Sequence, residues 1–314
     1  MKGDRDDLAG MIRWYPSSWR DRYGAELVAL IEDDLDGRRP SLGYRASMAK
    51  SGLRQRIRTA GIAGDGAAPD VRVKAGALVV LASWAALLLG GAAFAKSSEH
   101  YYAAAVLAPG HGQAVIAFDV VTTAAVIGAV LVLVGVIVAV PATVRFLRSG
   151  GWSTVRAPVT VAVVASVATA AATVGIADWA HHLTVHQRNG GDIGYGLAIL
   201  GWALLAAIAV AAWTWAGSAL ARRVDFDRTT LRIEAGLAVV VAAVVGTVAA
   251  AIAAWWAAMA RGTAWFLAGT RPGTHPSAVT TQLVAIEVWV VLAAVVAFYG
   301  AIRVVASLRI PGSV

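Results

Sequence analysis

The chain contains no cysteine among its 314 residues, so disulfides, thiolate metal sites and cysteine nucleophiles are excluded. Charge is also scarce, at 15% of residues, and the apolar share of 58% exceeds the usual soluble fraction of about 45–50%. No phosphate-binding loop, dinucleotide fingerprint or serine-nucleophile motif occurs. GIAGDG at 61–66 is rich in glycine, but no strand precedes it. An enzyme is therefore not expected. The start, MKGDRDDLAGMIRWYP, is charged and lacks the continuous apolar core of a cleavable leader.

What the chain has instead is six nearly uncharged runs, at 75–95, 115–140, 157–179, 195–220, 235–259 and 279–302. A helix rises about 1.5 Å per residue, so about twenty apolar residues cross a hydrocarbon core of about 30 Å. Within lipid every backbone N–H and C=O must be satisfied inside the segment, which makes each run a helix. The expected fold is an all-α polytopic membrane protein of six transmembrane helices over 74–310. A cytoplasmic helical module at 1–58 and a flexible Gly/Ala-rich linker at 59–73 precede them.

Basic residues set the expected orientation. Fourteen Lys/Arg precede residue 75, and Arg145, Arg148, Arg156, Arg222, Arg223, Arg228, Arg232, Arg303 and Arg309 flank alternate helix ends. The other side carries only Lys96, Arg188, Arg261 and Arg271. The positive-inside rule then places both termini in the cytoplasm of a bacterial plasma membrane. The net charge of +8 is explained by this distribution, and no nucleic-acid partner is expected. Abundant Ala, Val, Arg and Gly point to a GC-rich, actinobacterial genome. Trp152, Trp179, Trp213, Trp215, Trp255, Trp256 and Trp265 fall near helix ends, as interfacial aromatics do.

In the N-terminal module, Ser18 and Asp21 fit a capping box behind Pro16, and Trp19, Tyr23, Leu27, Leu30 and Ile31 follow on one helical face. The helix closes in the acidic run Glu32, Asp33, Asp34 and Asp36. Residues 37–64 hold seven Lys/Arg and no acid, with Lys50, Arg54 and Arg58 in an i, i+4, i+8 stripe. Such a helix just before a membrane span fits an anionic inner leaflet, but the topology rule alone already demands this charge as an ordinary positive-inside anchor.

Two sets of residues are candidates for chemistry. Asp119, Asp178 and Glu287 are acids in apolar surroundings. Glu287 is the deepest, with Gln282 a little over one turn away, and an intramembrane acid is a candidate proton or cation site or a carboxylic acid bonded to a neighbouring helix. Asp178, His182 and His186, spaced i, i+4, i+8, would stack on one face if their helix continued, beside His181. They could then hold a divalent metal, or simply form a polar helix end in water. All six histidines fall on the predicted outer side. SerThrValArg at 153–156 and ThrThrLeuArg at 229–232 each precede an apolar run, which suggests a duplicated helical hairpin.

The segment Trp14-Tyr15-Pro16-Ser17-Ser18-Trp19-Arg20-Asp21-Arg22-Tyr23-Gly24-Ala25-Glu26-Leu27 resembles the leader of actinobacterial multi-pass membrane proteins. It is similar, too, to a segment preceding some permease-type proteins. Those families often accompany transcriptional regulators, so the resemblance implies a regulatory or signalling setting. The expected function is a regulatory or scaffold component that docks a cytoplasmic protein through Trp14, Tyr15, Trp19, Arg20, Arg22, Tyr23 and Glu26. The alternative is a small transporter or channel component using Glu287.

Overall fold

The computed structural model describes residues 10–36, 38, 40–59, 62, 67–106, 111–184, 187–188, 192–262 and 276–308. Among them there is no strand. The helices are α1 (Ser17–Leu35), α2 (Leu42–Thr59), α3 (Pro69–Val106), α4 (His111–Phe146), α5 (Trp152–His181), α6 (Ile193–Ala221), α7 (Arg228–Gly262) and α8 (Pro276–Leu308). Five stretches are long and apolar enough to cross a membrane: Pro69–Ala95, Gly112–His181, Ile193–Ala221, Arg228–Arg261 and Leu283–Leu308. The protein is an all-helical, multi-pass membrane protein.

Two details of the expected layout are refined. The second and third apolar runs fall on α4 and α5, which lie in one helical stretch of 70 residues but are separated by a wide, kinked turn at Leu147–Gly151. That turn is not regular helix: Ser149 leaves helical geometry and Gly150 has φ 90°, a value that glycine adopts without a Cβ penalty. The linker is also shorter than expected, since α3 begins at Pro69. Proline suits a first helical turn because its missing N–H has no intrahelical partner there.

The core lies between α3, α4, α7 and α8, where Val80, Trp84, Phe94, Val245, Ile252, Trp255 and Val290 are buried together. Helix α7 packs against α4, α8 and α3, and α3 packs against α8, α7, α6 and α4. Trp255 sits edge-on to Phe94 with ring centroids 5.0 Å apart. It is a core residue rather than an interfacial one, since small residues around it leave room for an indole. Trp152, Trp213 and Trp215 are exposed, as the interfacial reading expects.

Helices α5 and α6 form a separate antiparallel pair with a small alanine core of Ala162, Ala212 and Ala216. Trp202 Nε1 donates to Thr173 Oγ1 at 2.8 Å, and Trp213 Nε1 donates to Ser166 Oγ at 2.9 Å. The suggested repeat is only partly matched: Val155 and Leu231 are both buried, but Trp179 is exposed where its counterpart Trp255 is fully buried.

Glycine sets how closely these helices approach. A Cβ on Gly76 of α3 would lie 2.6 Å from Val304 Cγ2 and 2.8 Å from the Gly300 carbonyl oxygen. A Cβ on Gly300 of α8 would in turn lie 2.9 Å from the Gly76 oxygen. Backbones therefore touch at this crossing. About three turns further along, Trp289 Nε1 donates to the Ala86 oxygen at 2.8 Å. In lipid, association rests on such packing and on interhelical hydrogen bonds, because lipid tails are as apolar as the side chains.

The start of α3, the ends of α4, α6 and α8, and the start of α7 gather at one end of the bundle. Lys74 Nζ donates to the Val224 oxygen at 3.0 Å and lies 5.4 Å from the Phe226 ring centre. Arg145 acts electrostatically on Asp227. At the opposite end Arg261 Nη2 donates to Gln113 Oε1 at 2.9 Å, joining the end of α7 to the start of α4.

The crossing predicts opposite outcomes at two glycines of α3. Gly76→Ala should destabilise the detergent-solubilised protein by about 1–3 kcal/mol through overpacking. Gly91→Ala, where a Cβ would meet nothing within 4 Å, should be neutral or stabilise by up to about 1 kcal/mol. Unfolding titrations of the two variants decide it, and equal effects would remove the close crossing as a constraint.

Candidate functional site

The N-terminal helix pair is organised by Pro16. Its extended backbone leads directly into α1 at Ser17, and Arg20 N–H donates to the Pro16 oxygen at 2.9 Å. Ser18 is thus already inside the helix, and no side chain caps its start. The expected capping box does not form, because proline itself sets the entry geometry.

Aromatics then line up at helical spacing. Tyr15 stacks on Trp19 with ring centroids 4.4 Å apart, and Trp19 meets Tyr23 at 5.3 Å. Helix α2 closes over the start of this ladder. A Cβ on Gly52 would lie 2.8 Å from both Trp14 Cβ and Trp14 C, so glycine lets the two backbones meet. Arg56 Nη2 also donates to the Arg13 oxygen at 2.6 Å. Met11 and Ile31 form the small core between the helices, with Leu27, Val28, Tyr44 and Met48 around them.

The seven proposed docking residues consequently divide. Tyr15 is buried, and Trp19 and Arg20 are half-buried, so these three build the fold. Trp14, Arg22, Tyr23 and Glu26 are exposed. The Arg22 guanidinium lies 5.2 Å from the Tyr23 ring centre, and that of Arg13 lies 5.7 Å from Trp14. This surface offers aromatic area beside charge, the chemistry of protein interfaces. At the end of α1, Asp36 closes the helix in left-handed geometry with φ 44°. Asp34 interacts with Tyr44 of α2: burial, then the charge and hydrogen bond of Asp34, push the tyrosine hydroxyl above its ordinary value. Part of the acidic run is therefore a joint between α1 and α2.

The membrane acids are not gathered into one crevice. Glu287 is half-buried on α8, and its Oε2 is buried with no hydrogen-bond partner among the described residues. Asp119 is exposed on α4, a helix that packs on α7, and the Gln282 side chain lies outside the described residues. Sequence reasoning missed a further acid. Glu234, assigned to a loop, sits in the second turn of α7 against α4. Its Oε2 and Oε1 would lie 3.3 and 3.7 Å from a Cβ on Gly135, and its Oε1 is buried without a hydrogen-bond partner among the described residues. The available signal was the run Leu231, Ala235, Ala238 and Ala242, whose helical spacing already includes position 234.

The histidine set has a simpler geometry. Helix α5 ends at His181, and His182 is its terminal cap. The helix therefore does not continue to stack Asp178, His182 and His186; Asp178, His181 and His182 are exposed, and His186 lies outside the described residues. No group of three metal-ligating side chains occurs among the described residues.

Between α6 and α7, Asp227 accepts the Thr230 N–H at 3.0 Å and so caps α7. Hydrogen bonds from Thr230, aided by Arg145, hold its carboxyl below the ordinary value. A carboxyl lowered on folding contributes stability above its unfolded value near pH 4, and that contribution is lost as pH falls through the folded value. Asp227→Asn keeps a cap without the charge, so it should flatten the acid limb of the stability-versus-pH curve. An unchanged limb would show that this cap carries no pH dependence.

No protein-family model matches the chain, and no curated protein or solved structure matches it either.

Proposed function

We propose that the protein is a regulatory or scaffold component of a bacterial plasma membrane that docks a cytoplasmic protein through α1. The observation that carries this reading is the exposed aromatic and charged face of Trp14, Arg22, Tyr23 and Glu26, built on a ladder whose inner members are packed away. Two contacts support coupling to the bundle. Tyr299 Oη of α8 donates to the Ile62 oxygen at 2.7 Å, and Lys74 at the start of α3 holds the loop between α6 and α7. A partner pulling on α1 thus acts on a chain segment fastened to two parts of the membrane domain.

The accompanying topology is six spans with both termini cytoplasmic. Support comes from the turn at Gly150, flanked by Pro141 and Pro158, and from the antiparallel α5–α6 pair, whose α6 ends where α4 ends. Seventy residues of unbroken helix would extend about 105 Å, more than three bilayer cores. Reporter fusions at Gly150 and Gly190 should read cytoplasmic and extracytoplasmic respectively; two matching readings would leave five spans.

Docking is tested in the full-length protein by placing a photo-crosslinking residue at Tyr23. One protein should be captured reproducibly, and Trp14→Ala combined with Glu26→Arg should reduce its capture at least tenfold. Undiminished capture in that variant would sink the docking face. The second reading, a transporter or channel component, draws on the Glu287 Oε2, which is buried without a hydrogen-bond partner among the described residues. It predicts that deleting residues 1–58 leaves an ion flux that Glu287→Gln abolishes, whereas the docking reading predicts loss of regulation on the same deletion.

A further inference from the structure

Helix α2 has two unlike sides. Tyr44, Met48 and Gly52 face α1, the backbone of Trp14 and the ring of Tyr15. Each helical residue advances about 100°, which puts Ser47, Lys50, Arg54 and Arg58 within one arc on the side opposite Gly52. All four are exposed, and Leu53 beside them is 52% exposed. The helix carries five basic residues and no acid. A helix face that merely meets water usually mixes both signs of charge, whereas one sign bordered by exposed leucine is the pattern of a membrane-surface helix.

Its position fits that pattern. The Ile62 N–H donates to the Ile57 oxygen at 3.1 Å, which keeps Ile62 attached to the last turn of α2. The Ile62 oxygen in turn accepts from Tyr299 at 2.7 Å. Tyr299 is next to Gly300 at the α3–α8 crossing and one turn before Arg303, where the apolar run of α8 ends. Tyrosine at such a level is an interfacial residue. The basic end of α2 is therefore held where the bundle leaves the hydrocarbon.

We propose that α2 lies on the bilayer surface, with Lys50, Arg54 and Arg58 on anionic phospholipid headgroups. The Trp14 backbone and the Tyr15 ring are on its far side, so headgroup binding presents α1 toward the cytoplasm. The proposal deepens the docking reading by naming what orients the docking face, and rests only on its membrane-proximal placement. Arg56, occupied with the Arg13 oxygen, transmits the position of α2 to the segment that carries Trp14. Three headgroup-bound cations of typical juxtamembrane strength correspond to a preference on the order of 100-fold for anionic over neutral lipid.

The absence of cysteine permits a clean test in the whole protein. Ser47→Cys and, as reference, Ala29→Cys on exposed α1 are each reconstituted in nanodiscs of phosphatidylcholine alone or with phosphatidylglycerol. Alkylation by an uncharged, membrane-impermeant maleimide is then timed. Phosphatidylglycerol should slow labelling at position 47 by about tenfold or more and leave position 29 unchanged, with the difference removed at about 1 M salt, where screening reaches a few ångströms. Adding Lys50→Gln, Arg54→Gln and Arg58→Gln should equalise the two lipids. Equal rates at position 47 in both compositions, or equal slowing at both positions, would overturn the proposal. That comparison keeps the native charges, so it decides even if the triple variant misfolds. No other protein is present, so failure here is distinct from failure to find a docking partner.

Discussion

The contact between the Gly76 and Gly300 backbones is the constraint on which the rest of the arrangement depends. Lys74 is two residues from Gly76, and Tyr299 is one residue from Gly300, so both latches are placed by the register of that crossing. A shift of one residue between α3 and α8 would turn Tyr299 about 100° away from Ile62. Because lipid supplies no hydrophobic drive for helix pairing, close backbone approach is what makes this register preferable to its neighbours.

From that crossing the molecule separates into parts with different demands. Helices α3, α4, α7 and α8 share one buried core with Trp84, Phe94 and Trp255 at its centre. Trp84 packs against Gly128 of α4, where the indole needs a bare backbone. Helices α5 and α6 join this core mainly through α3, and they present Val164, Val167, Leu197 and Leu204 outward, as lipid-facing helices do. Their tryptophan-to-hydroxyl hydrogen bonds replace much of the packing that the central helices obtain from glycine. The N-terminal pair is different again. Its core is small, and α1 and α2 depend on Gly52, Arg56 and the Tyr15–Trp19 stack to stay together.

Much of the candidate site could be read from spacing alone. Trp19 and Tyr23 are four residues apart and a helix brings them together, whereas Tyr15 precedes α1 and reaches Trp19 through the turn at Pro16. Which of them remain available was not legible, because that depends on where α2 lands, and α2 lands on Tyr15. The acids show the same limit. Glu287 stands out in an uninterrupted apolar run, whereas Glu234 stands close to Arg228 and Arg232 and looks like part of a charged loop. Its placement against Gly135 follows from α7 starting early and packing antiparallel to α4, a long-range fact. The helix under the histidine set ends at His181, and nothing in Asp-Trp-Ala-His-His marks that residue as the last of its helix.

The sequence by itself determined the helical class, the approximate membrane stretches and the asymmetry of basic charge. Each follows from composition over windows of about twenty residues, and burial of the peptide backbone in lipid leaves no other solution. Tertiary structure alone decided which glycines are crossings and which are merely small, since Gly76 and Gly91 are alike until a neighbour is brought against one of them. It also decided that Trp255 is interior while Trp215 is exposed, and that the basic face of α2 points away from the aromatic segment it supports. Pairing between distant helices sets these features, and local periodicity carries no information about the partner.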